Sequence, residues 1–228
     1  MHGQKKLRLA NWVSAAAFTI GGSLFAAGAA VAEAGSGDAT TAASIYLVGG
    51  IFFTTGAYAS LLGAINAPAG VDAGASAESG WSWWSYQPLR LGWLSGFVLF
   101  CGTLAFGVSL VDSFIDGLST HGVNRLIWRP EVVGCVLFLL SGHLAMTEIC
   151  GRHLPCLRRR DLPWSITAIN QIGSILFMIA AIASFTRPQT MSEVNVAIAN
   201  WGTLTGAVCF AIGGVMQAFA RPSTTPVG

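Results

Sequence analysis

The sequence predicts an all-α, polytopic membrane protein with six transmembrane helices arranged as three two-helix repeats. Three observations carry this. Only 10% of the 228 residues are charged while 53% are hydrophobic, where soluble chains carry about 25% charged residues. The mean hydropathy is +0.61. Six uncharged windows follow one another, and each contains the same short pattern.

The windows are Leu9–Ala32, Thr41–Ala67, Leu91–Val111, Val132–Thr147, Leu162–Thr186 and Val194–Ala220. A spanning helix needs roughly 20 mainly apolar residues. Five windows meet that alone. The fourth has 16 uncharged residues, so its helix is expected to take in Glu148 and end near the interface. Glu148 and Arg152 stand in the favourable i,i+4 order for a helical ion pair. The units are 1–66, a linker with a Trp cluster over 67–90, a second hairpin over 91–150, a basic loop over 151–163, a third hairpin over 164–220 and a tail over 221–228. The N-terminal run also resembles a signal peptide. Its 24 uncharged residues exceed the roughly 7–15 of a signal core, and it carries the repeat, so retention is expected.

Orientation follows the basic residues. Lys5, Lys6 and Arg8 precede the first span, Arg152, Arg158, Arg159 and Arg160 crowd the loop after the fourth, and Arg221 follows the sixth. Six spans with both termini cytoplasmic put all three clusters inside, in a plasma membrane. Arg125 and Arg129, in the third connection, oppose this weakly. The four arginines of the fourth connection offer a contact to anionic lipid head groups. A short interfacial helix is expected around Phe114 to Leu118. The net charge of +2 gives no case for nucleic acid.

Every window contains Gly-x-x-x-Phe-x-x-small: Gly21, Phe25, Gly28; Gly49, Phe53, Gly56; Gly102, Phe106, Ser109; Gly134, Phe138, Ser141; Gly173, Phe177, Ala180; and Gly206, Phe210, Gly213. Trp12, Trp93 and Trp164 each lie nine residues before an odd-numbered motif glycine, where an interfacial belt would want them. The motif offsets fall on one helix face. Small residues let helix backbones approach in lipid, where no hydrophobic force draws helices together. The stripes therefore read first as packing, and they leave room for a homo-oligomer.

Two segments, Ile172-Gly-Ser-Ile-Leu-Phe177 and Val133-Gly-Cys-Val-Leu-Phe138, resemble the core of YrhK-like domains, which are small two-helix membrane domains. The last hairpin, from Asn170 through Gly206-Ala-Val-Cys-Phe210, carries the resemblance best. It implies a membrane domain and no reaction.

Few residues bear on chemistry. His143 is ionisable inside a span, a position that suggests function by default, but no second His or acid shares its face. Asn170, Gln171 and Gln217 either hydrogen-bond between helices or line a polar path with His143. Cys150, His153 and Cys156 have short ligand-like spacing, but a structural zinc site takes four ligands and the surrounding arginines repel a cation. No metal or cofactor is expected. With no phosphate loop, zincin motif or nucleophile elbow, neither is enzyme activity. The reading is a structural or scaffold bundle in the lipid bilayer. The alternative is a small-solute transporter or channel.

Overall fold

The computed structural model describes residues 2–35, 39–67, 80–151, 156–158 and 161–220. Six helices in it are long and apolar enough to cross a membrane, and the chain is a multi-pass membrane protein. They are α1 (His2–Ala34), α2 (Ala39–Asn66), α3 (Leu91–Asp112), α4 (Thr120–Cys150), α5 (Leu162–Ala183) and α6 (Val196–Phe219).

Each helix packs against its sequence neighbours, and α6 packs back against α1. The six helices therefore form a closed ring. One end of it, the amino-terminal face, carries the start of α1, the α2–α3 and α4–α5 connections and the end of α6.

Close backbone approach holds the seams. A Cβ on Gly22 would stand 2.7 Å from the Ala207 carbonyl oxygen, and one on Gly214 would stand 2.9 Å from that of Ala15. These contacts join α6 to α1. The α2–α3 seam brings Gly96 against the Leu61 backbone.

The fourth span is longer than its uncharged window. It opens with one α turn capped by Ser119, whose side chain accepts from the Gly122 N–H at 3.2 Å. It passes through a π segment, Asn124–Trp128, and then runs as α-helix from Arg129 to Cys150. Arg125, Arg129 and Glu131 are thus helical, and the expected helix at Phe114 to Leu118 is absent. That stretch is irregular and includes Gly117 at φ +72°. Asn124 anchors the π segment, donating to the Thr186 carbonyl (2.7 Å) and accepting from the Thr186 N–H (3.1 Å). Thr186–Arg187 (β1) pairs antiparallel with Ser192–Glu193 (β2) between α5 and α6.

Residues 80–90 fold back over the end of α2. Asn66 exchanges two hydrogen bonds with Ser82, at 2.8 and 2.9 Å. Tyr58 donates to the Trp83 carbonyl. Trp93 differs from the interfacial role expected of it. It is 1% exposed, stacked on Phe97 at 4.9 Å and edge-on to Tyr86 at 5.4 Å. The aromatic segment covers it, whereas Trp12 remains exposed.

The expected partner of Glu148, Arg152, lies outside the described residues. The Glu148 carboxylate sits against Gly92, whose N–H donates to it, with Arg90 close by. An acid at that point also meets the positive end of α3. Arg152, Arg159, Arg160, Arg221 and the linker residues 68–79 lie outside the described residues.

Candidate functional site

The six motif phenylalanines meet on the ring axis. Phe25, Phe106 and Phe177, from the odd helices, contact one another, with centroids 5.8, 6.2 and 6.3 Å apart. Phe210, from α6, contacts both Phe53 (5.4 Å) and Phe138 (6.3 Å). Phe25–Phe53, Phe106–Phe138 and Phe177–Phe210 join the two sets. All but Phe106 are buried. Aromatic pairs of this kind contribute about 0.5–1.5 kcal/mol each beyond the area they bury. The phenylalanines form a plug across the middle of the bundle.

The motif glycines make the plug possible. Within each hairpin the two glycines face each other, and each seats the partner helix's phenylalanine. A Cβ on Gly134 would fall 3.0 Å from the Gly102 oxygen and 3.1 Å from Phe106; one on Gly206 would fall 3.0 Å from the Gly173 oxygen and 3.2 Å from Phe177.

On the amino-terminal side of the plug lies a cavity of about 190 Å³. All six helices line it. Seven residues from each motif phenylalanine, on that side, stand Phe18, Ser60, Leu99, Ala145, Asn170 and Gln217, and every one of them is in its wall. Seven residues are two helical turns on the same face, so the wall repeats the register of the plug. Phe138 and Phe210 also line the cavity, together with Ser95, Ser141, Thr167 and Ser174. Ser95 and Ser141 each donate to the other's carbonyl at 2.9 Å, and Ser14 and Ser60 share a 2.7 Å bond.

Of the residues expected in a polar path, Asn170 and Gln217 share this cavity. Asn170 Oδ1 is buried without a hydrogen-bond partner and lies against Gly213. Gln217 Nε2 donates to Asn11 Oδ1 (3.3 Å) and Ser14 Oγ (3.1 Å). Gln171 sits in the α4–α5 seam, with Nε2 3.4 Å from the Leu139 carbonyl and Oε1 against Gly142. His143 does not join them. It is exposed on the same outward stripe of α4 as Val133, Val136 and Leu140, so the expected convergence of His143 with Gln171 and Gln217 is not present. The serines were missed because each is ordinary alone; extending the motif by seven residues finds Ser60 along with the two amides.

On the far side of the plug, the same seven-residue step reaches Tyr46, Glu131 and Ser184. Tyr46 packs on Phe25 at 5.3 Å. Glu131, one residue before the fourth uncharged window, is half-buried and accepts from Ser184 Oγ at 3.3 Å.

Cys150 and Cys156 are disulfide-bonded, so neither sulfur is a thiolate that could ligate a metal. His153 lies outside the described residues. The Cys156 carbonyl accepts from Trp164 Nε1 at 2.7 Å, which ties the bridge to the first turn of α5.

Fold and site together define a multi-pass α-helical membrane protein with a polar axial cavity closed by an aromatic plug. Comparisons with protein-family models, with curated proteins and with solved structures each give no match.

Proposed function

We propose that this protein passes a small solute across the plasma membrane through the axis of the ring. The carrying observation is the cavity. Polar side chains inside a membrane bundle are costly and mark solute pathways, and here hydroxyls and amides from several helices converge on one space on the axis. The phenylalanine plug then serves as the closed gate, and glycine-lined seams let helices slide to open it. In this reading the ring is three copies of one YrhK-like hairpin, supported by the matched glycine pairs and the common register of plug and wall. The basic residues support placing both termini and the cavity mouth in the cytoplasm, with Arg158 and its neighbouring arginines near anionic lipid.

The plug also favours a second reading, a packing scaffold, alone or as a homo-oligomer, in which the filled axis is permanent. Uptake of a radiolabelled solute panel into proteoliposomes separates the two. Transport predicts uptake that falls in Gln217→Leu and is unchanged in His143→Ala. No uptake of any solute, with Gln217→Leu altering only thermal unfolding, would leave the scaffold.

A further inference from the structure

We infer that the axial cavity selects small, electrically neutral solutes that carry both hydrogen-bond donors and acceptors, and that Asn170 and Gln217 recognise them. This rests on the transport reading above and specifies its substrate.

The argument begins with what the wall lacks. Among the described residues, no Asp, Glu, Lys, Arg or His lines the cavity. Glu148 abuts Gly92 at the rim, where the Gly92 N–H already donates to its carboxylate. An ion entering this space would surrender its hydration with no opposite charge to replace it, a cost of several kcal/mol. A neutral polar molecule surrenders only hydrogen bonds, which hydroxyls and amides can return.

What the wall holds sets the rest. Both recognised hydrogens of the Gln217 amide group are committed to Asn11 and Ser14, so its carbonyl oxygen is the end left to accept from a ligand. Asn170 lies in the cavity wall against Gly213, and its buried Oδ1 makes no hydrogen bond, so its amide is the unpaired polar group that a ligand can satisfy. Phe138 and Phe210 of the plug line the same cavity, so a molecule that fills it touches the gate. Phe18 and Leu99, at the register positions matching Asn170, give that molecule an apolar side. The volume, about 190 Å³, is well above what a single water needs, which leaves room for a short polyol or a small amide.

The test uses the full chain in liposomes, with glycerol and urea as neutral probes and potassium chloride and sodium acetate as charged ones, followed by stopped-flow light scattering. The expected result is faster entry of a neutral probe than in empty liposomes, at least tenfold slower in Asn170→Leu, with neither salt accelerated. Asn170→Asp keeps the shape and adds a charge, so it should slow the neutral probe as well. If the salts enter faster than glycerol and urea, passage stands and the inferred class is wrong. If no probe crosses, thermal unfolding in glycerol and urea decides. A stabilisation that Asn170→Leu abolishes keeps the recognition and removes transport, and its absence removes both.

Discussion

Gly173 and Gly206 lie face to face across the last hairpin, so close that a methyl group on Gly173 would stand 2.9 Å from the Gly206 carbonyl oxygen. The obstacle is backbone, which cannot turn aside as a side chain can. Gly173→Ala should therefore destabilise the protein by about 1–3 kcal/mol, the usual range for overpacking. Gly63 has nothing within 4 Å of its hypothetical Cβ. Gly63→Ala should be neutral or stabilise by up to about 1 kcal/mol through helix propensity. Thermal unfolding in detergent measures both; equal effects at the two sites would remove close approach as the cause.

The Ser95–Ser141 exchange ties α3 to α4 at the cavity wall. A double-mutant cycle with Ser95→Ala and Ser141→Ala should give a coupling of about 0.6–1.7 kcal/mol, as found for hydrogen bonds between membrane helices. A coupling of zero would mean that each hydroxyl is equally well satisfied alone.

Glu193, between α5 and α6, gives a pH signature. Burial raises its pKa above the ordinary carboxylate range. The folded protein therefore binds more protons than the unfolded chain between the two pKa values, and stability falls as pH rises through that window. Glu193→Gln should flatten this slope on the acid side of neutrality and leave the protein more stable at neutral pH. An unchanged slope in unfolding curves collected across that window would exclude Glu193 as its source.

The Cys150–Cys156 bridge closes a short loop. By loop entropy it should contribute about 2 kcal/mol, so reductant should lower the unfolding midpoint of the parent and leave that of Cys150→Ser with Cys156→Ser unchanged. The proposed cytoplasmic placement of this face, where thiols are kept reduced, predicts that the pair is open in the cell, so a membrane-permeant maleimide should label it in intact cells and an impermeant one should not. A pair that the permeant maleimide labels only after reductant is added would mean an intact bridge in the cell and would reverse the orientation.

The six spans were legible because composition alone dictates them: long uncharged runs bounded by Asp, Glu, Lys or Arg. The glycine–phenylalanine stripe was legible as packing, since offsets within one helix put the residues on one face. The meeting of all six phenylalanines was not, because a stripe says which residues share a face and nothing about which way that face turns in the ring. His143 shows the same gap. Its chemistry singles it out, but its helix turns it outward with Val136 and Leu140. Charge alone starts the fourth window at Val132, while the π segment, held by Asn124 and Thr186, extends the helix across Arg125, Arg129 and Glu131. Trp93 depends on residues 80–90 folding back, a tertiary contact that local pattern does not contain.

Since α6 closes the ring against α1, α1 is synthesised well before its partner and waits for it. Until α6 arrives, the Gly22 side of α1 has no backbone to rest on, and the phenylalanines of the earlier helices lack Phe210. Early insertion intermediates are thus open arcs whose glycine edges can accept the wrong helix, including one from another chain. The start of α1 also lies beside the end of α6, so a circular permutant that joins them and opens another loop on the amino-terminal face should keep the same ring.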